Sequence, residues 1–401
     1  MKPEFHRKVL KNGMTVLFEK RNLPVVSVAF AVRNGDINEN INEKGISHFI
    51  EHMLYKGTPK RNAKKIAEEI EKNGGELNGF TDEMITAYWC KMPSKHIDVA
   101  LNVLSDMVKN PLFDGKELEK ERKVIFEEIK MRKDNPMIYV FDKIQSCLYT
   151  GTLGRVLTYE TLKSINRKKI LEKFEQIYQS NNMILCVVGD TNINKIIEFA
   201  ENNFGDKKGK VPNFKIDLKN EFKIEERKGL NQANLVFAYN VPLSDDEKNY
   251  AAKVLSVLTA EGMSSRLFSE IREKRNLAYA VKGNSNINKD FAYNLIYIGT
   301  TKENVEIVKK LILEEFEKIS KVLTEEELKQ VKEQIIGNYQ ISMEDSQSQM
   351  VNLLLHEIDG DAKKFYEFGD NIKKVKLKDV KKLANKVKEK KYSFFALVPE
   401  D

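Results

Sequence analysis

One order of elements runs twice along this chain, and that repetition limits the fold more than any other feature of the sequence. The first half opens with a strand ending at Leu10, the turn Asn12-Gly13, and an alternating strand over residues 14–19. Asn-Gly between two strand-like runs is a strong hairpin signal. Val25–Val32 reads as a third strand. A helix then starts near Lys44 and carries Ile46, Phe49, Ile50, Met53 and Leu54 at spacings of three and four. A second helix over 62–73 stops at Gly74-Gly75, and residues 76–91 read as one long strand. Helices over 94–109 and 116–130 lead on to an apolar strand over 182–189 and a helix over 192–203.

Residues 205–219 then hold two glycines, one proline and five lysines with no sustained period, the texture of a linker. Beyond it the pattern restarts, with strands over 221–227 and 233–238, helices over 245–259 and 264–274, and strands over 278–286 and 292–298. Helices over 302–318 and 324–343 and a last strand over 392–398 complete it. The segment LFDGKELEKERKVIFEEIK also aligns with VLTEEELKQVKEQIIGNYQ. Two homologous α+β domains follow, residues 1–210 and 211–401, each a mixed, mostly antiparallel sheet packed with helices.

Composition narrows the class. Hydrophobic residues make up 41% and charged residues 32%, enough for packed cores under a solvated surface. The net charge is +7, but both signs interleave along the chain, so it describes solvated helix faces and not a nucleic-acid groove. No apolar run approaches the ~20 residues of a membrane span. The opening stretch MKPEFHRKVLKNGMTVLFEK has no apolar segment of the secretory kind. Cys90, Cys147 and Cys186 are odd in number, far apart and in apolar contexts, so they read as buried small hydrophobes in a reducing compartment. The expectation is a cytoplasmic protein with neither membrane nor nucleic acid as partner.

The chemistry concentrates in Gly45-Ile46-Ser47-His48-Phe49-Ile50-Glu51-His52-Met53, which takes two of the five histidines in the chain. At about 100° per residue, His48 and His52 lie ~40° apart around a helix and Glu51 ~60° to the other side of His48. Two imidazoles one turn apart can hold Zn²⁺, and a nearby carboxylate can take a proton from a water that the metal activates. This is HxxEH, the inverse of the HExxH helix. A catalytic zinc needs a third protein ligand. The candidate is Glu128, on a charge-rich helix where Glu121 stands seven residues earlier on nearly the same face. Aligning Leu118 with Leu328 sets Val331 and Asn338 opposite Glu121 and Glu128. Pairing Gly57 with Gly262 sets Lys253, Ser256 and Val257 opposite His48, Glu51 and His52. Only the first half keeps the metal set.

The stretches GISHFIEHMLYKGTPKR and ERKVIFEEI resemble the active-site helix and distal segment of the inverzincins, the family of pitrilysin, insulin-degrading enzyme and mitochondrial processing peptidase. The resemblance implies one zinc per chain held by His48, His52 and Glu128, with Glu51 as general base and Glu121 as a supporting carboxylate. In the second half, GMSSRLF and IREKRNLAY are similar to the signature of that family's non-catalytic domain. There the resemblance implies that Arg272 and Tyr279 serve the zinc site, a guanidinium for a peptide carbonyl and a phenol for the oxyanion. Residues 74–91 resemble the family's edge strand, where an extended substrate adds by main-chain bonds and Asn78 contacts its backbone. The function implied is a zinc metalloendopeptidase acting on unstructured peptides. Short members of the family pair two chains, so a homodimer is expected, with a heterodimer with an inactive homologue as the other arrangement. The alternative is a non-catalytic structural or partner subunit of a larger peptidase-like complex.

Overall fold

Alternation decides the first sheet. In Val25–Val32 the residues Val26, Val28, Phe30 and Val32 join the main core, while Ser27, Ala29 and Ala31 turn to the other face. All seven are buried, so both faces of the strand are covered. The computed structural model describes residues 4–388 and 391–400, and the chain divides into two units.

The first unit holds a six-stranded sheet of β1 (Phe5–Val9), β2 (Thr15–Lys20), β3 (Val25–Val32), β4 (Glu76–Thr81), β5 (Thr86–Pro93) and β6 (Met183–Gly189), in the order β1-β2-β6-β3-β5-β4. Only β2 and β6 pair in parallel. The long strand expected over 76–91 is instead a hairpin, β4 and β5 in antiparallel register with Thr81 opposite Thr86. Apolar side chains continue through the break, as Met84 and Ile85 are buried in the turn, which hides it from a pattern reading.

The second unit repeats the frame with β7 (Phe222–Arg227), β8 (Ala233–Asn240), β9 (Ala278–Ile287), β10 (Ala292–Thr300) and β11 (Ser393–Pro399), in the order β7-β11-β8-β10-β9. Its one parallel pair is β7 with β11, the counterpart of β2 with β6. Element by element this is the first sheet without β1. The duplication read from the sequence is thus present in the strand order itself.

Each unit also contains a helix that the chain supplies from the other half. The first unit consists of the stretch ending at Ile129 with Leu157–Lys215 and Ser342–Phe365. The second consists of Lys130–Val156, Ile216–Ile341 and the stretch from Tyr366 onward. Helix Ser346–Ile358 packs on β3 and β6, over the small side chains of Ser27, Ala29 and Ala31. Helix Pro136–Leu148 packs on β8 and β11.

Polar groups lock helix Ser346–Ile358 to its sheet. The Glu357 carboxylate, 1% exposed, accepts two bonds from Arg7 (2.7 and 2.8 Å) and one from Arg33 (2.8 Å). Gln349 donates to Glu19 at 2.6 Å, and Ser27 and Ser346 share a bond of 2.9 Å. The extra strand β1 thereby has a use, since it delivers Arg7. Breaking a buried ion pair from one side strands its partners. Glu357→Gln should therefore lower the free energy of unfolding by about 3 kcal/mol in urea melts. A loss under about 1 kcal/mol would place the helix's anchorage elsewhere.

Candidate metal centre

Helix Ile46–Leu54 is held by its apolar side: Ile46, Phe49, Ile50, Met53 and Leu54 are all buried. His48, Glu51 and His52 stand on the remaining face, partly exposed. Helix Gly115–Asp134 brings up the carboxylates. It is fixed by Leu118 and Ile125 in the core and by Arg122, whose guanidinium donates to the carbonyls of Leu162 and Ile165.

The two helices bring His48, His52 and Glu128 together, with one ligand atom from each within 4.8 Å of the others. The two Nε2 atoms are 3.2 Å apart, and the Glu128 carboxylate lies 3.7 Å from His48 Nε2 through Oε2 and 3.6 Å from His52 Nε2 through Oε1. Zinc bonds of about 2.1 Å in a tetrahedron place ligand atoms roughly 3.4 Å apart. The triangle therefore fits such an ion in both size and donor chemistry. The imidazole planes cross at 85°, so the rings meet edge to face and do not stack.

Glu121 is placed behind this triangle. Its Oε2 accepts from His52 Nδ1 at 3.1 Å, and its Oε1 pairs with Lys56 at 2.7 Å. A proton held on Nδ1 leaves the Nε2 lone pair of His52 facing His48 and Glu128. Glu51 Oε2 accepts from the Thr81 hydroxyl of β4 at 2.7 Å. Burial pushes the Glu51 carboxyl above the usual carboxylate range and Glu128 adds to this, while Thr81 and His52 pull the other way. That environment favours a group able to accept and return a proton.

The remaining residues singled out in the sequence lie further along. Asn78 is on β4, an edge of the first sheet, exposed, with its Oδ1 accepting from the Gly79 amide at 2.8 Å. Arg272 and Tyr279 belong to the second unit. The helix expected over 264–274 widens into π-helical turns over Phe268–Glu273, and the Arg272 guanidinium lies 4.8 Å from the centre of the Phe268 ring. Tyr279 is 46% exposed, and its hydroxyl lies 3.4 Å from both Asn234 Oδ1 and the Tyr297 hydroxyl. Its ring lies across Gly299, where a Cβ would come within 2.1 Å of it, so glycine there lets the phenol lie flat on β10. Sequence reading passed over Thr81 and Lys56. Thr81 lay inside the single strand expected over 76–91 and Lys56 one turn past His52, and neither position singled its residue out.

Residues 15–161 match the family described as Insulinase (Peptidase family M16), and residues 164–335 match Peptidase M16 inactive domain. An uncharacterised zinc protease of Rickettsia felis is 35% identical over 86% of this chain and 85% of its own length. One of Bacillus subtilis is 32% identical over 98% of both chains. A crystal structure of a protease from Helicobacter pylori superposes with a TM-score of 0.92, covering 99% of this chain and all of that one, at 23% identity.

The position of Glu121 makes its effect measurable. Outer groups that orient a ligating imidazole are worth roughly 10- to 100-fold in metal affinity. Glu121→Gln should weaken zinc binding by that factor in chelator competition. Unchanged affinity would mean that His52 needs no such support.

Proposed function

This chain belongs to the insulinase family of peptidases, family M16, and from that premise we propose that it is a zinc metalloendopeptidase cutting unstructured peptides. The observation that carries the proposal is the His48–His52–Glu128 triangle with Glu51 on the same helix face. His48, His52 and Glu128 would hold one zinc ion per chain. When bound, zinc supplies Lewis acidity to the scissile carbonyl and to water.

The chain's own residues do the rest. Glu51 accepts the proton of the attacking water and later delivers it to the leaving amine. Thr81 fixes the rotamer from which it does so. Glu121 holds His52 in the ligating tautomer. For Tyr279 and Arg272 we propose the roles of oxyanion donor and anchor of a peptide carbonyl. The substrate would add to β4 as a further strand, with Asn78 bonding its backbone; main-chain recognition of this kind demands extended peptides and tolerates varied side chains.

Glu51→Gln should bind zinc with wild-type stoichiometry, about one per chain by metal analysis, and lose peptide hydrolysis by at least about 100-fold. A variant that stays active removes Glu51 as the base. Retention of the metal set speaks against the reading as a non-catalytic partner subunit.

We propose a cytoplasmic homodimer, because one chain carries both the metal set and the Arg272–Tyr279 pair. Among the described residues no helix is long and apolar enough to cross a membrane. Light scattering should give twice the 46.3 kDa chain mass; a monomer at assay concentration would end the homodimer proposal.

A further inference from the structure

The motif helix begins in a way that leaves its first amides in need of an acceptor. Gly45 precedes it at φ 95°, and a Cβ there would lie 2.4 Å from Leu157 Cδ1. Glycine is therefore required, and it brings no side chain to cap the helix. The acceptor comes instead from six residues back. Glu39, fully buried, accepts from the Gly45 amide through Oε2 and from the Ser47 amide through Oε1, both at 2.8 Å.

The loop that carries Glu39 is itself pinned. Lys44, also buried, pairs with Asp36 at 2.8 Å and lies 4.0 Å from Glu39. Lys173 donates to the carbonyl of Asn38 at 2.6 Å. The amides of Asp36 and Ile37 bond to the carbonyls of Asp82 and Glu83 in the β4–β5 turn. A carboxylate is seldom buried unless it is paired and hydrogen-bonded, and here both oxygens face the positive end of the helix that carries His48 one residue further on.

We propose that Glu39 is a positioning residue of the metal centre, fixing the first turn of the motif helix and with it the direction of His48. The inference rests on the zinc reading above. Where Glu121 holds His52 by its ring, Glu39 holds the backbone just before His48, through the Gly45 and Ser47 amides. Burial and Asp36 push the Glu39 carboxyl up to about 7, against the pull of Lys44 and the two amides, so the test belongs at about pH 8, where it is ionised.

The test compares the full chain with Glu39→Gln and with Glu43→Gln, whose carboxylate lies in the same loop 3.8 Å from Lys169. Zinc affinity is read by chelator competition below the melting temperature. Glu39→Gln should bind zinc roughly tenfold more weakly and lose kcat with KM little changed, while Glu43→Gln matches wild type. A Glu39→Gln chain that melts earlier yet binds zinc as tightly has lost only stability, and the proposal falls. Should Glu39→Gln fail to fold, amide exchange in the metal-free wild type decides. The Gly45 and Ser47 amides should be protected by at least about 100-fold, and exchange at unprotected rates overturns the assignment. A wild type that binds zinc but cuts no peptide sinks the peptidase reading and leaves Glu39 to be judged on affinity and exchange.

Discussion

Three polar side chains stand on one face of a helix of nine residues whose other side is sealed into the core. That seal is the constraint on which the site depends. Ile46, Phe49, Ile50, Met53 and Leu54 leave the helix no freedom to roll, so the 3.2 Å between the two imidazole nitrogens is set by packing. Glu128 arrives from a second helix fixed in the same core and by Arg122. A site built on rigid elements would be formed before an ion arrived, and little ordering would remain to oppose binding. The electrostatics agree with this. Lys56 balances Glu121, Thr81 orients Glu51, and Glu128, the most exposed of the ligand candidates, faces the solvent.

Much of this was legible in the sequence, for definite reasons. The motif helix announced itself through 3.6-residue periodicity on one face and histidines on the other. The duplication was visible because both halves place the same elements in the same order. Glu121 and Glu128 could be paired because seven residues are two turns. What stayed hidden is tertiary. The hairpin at 82–85 lies under buried Met84 and Ile85, so its composition reads as strand. The exchanged helices have no signature at all. A helix carrying Gln349 and Glu357 reads as surface, and only the structure reveals Glu19, Arg7 and Arg33 waiting for them. Glu39 stayed hidden for a similar cause. A carboxylate in a polar loop looks solvated until its acceptors' partners, two backbone amides, are seen.

The burial of both faces of the central strands follows from the exchange. β3 can be Val, Phe and Val on one face and Ser and Ala on the other because a helix lies close on the second face, where larger side chains would collide with it. β8 likewise has Leu235 and Phe237 in the main core and helix Pro136–Leu148 across the far face, but there the covered face carries Asn234 and Val236 besides Ala238. On β3 the small-residue face is thus a record of its covering helix.

The two halves also answer one question in two ways. The frame places a helix beside the sheet with polar positions one turn apart, and charges there must be balanced. In the first unit His48, His52 and Glu128 come together as a group that could hold a metal ion. In the second unit Lys253 stands at the position of His48 and donates to both oxygens of Glu261 at 3.0 Å, while Ser256, in place of Glu51, donates to the same carboxylate at 2.6 Å. The charge is neutralised within the helix and its end. Opposite Glu121 the second unit has Val331, buried among apolar neighbours, where no imidazole asks for a carboxylate. The second unit keeps the strand order of the first and fills the matching helix positions with its own ion pair.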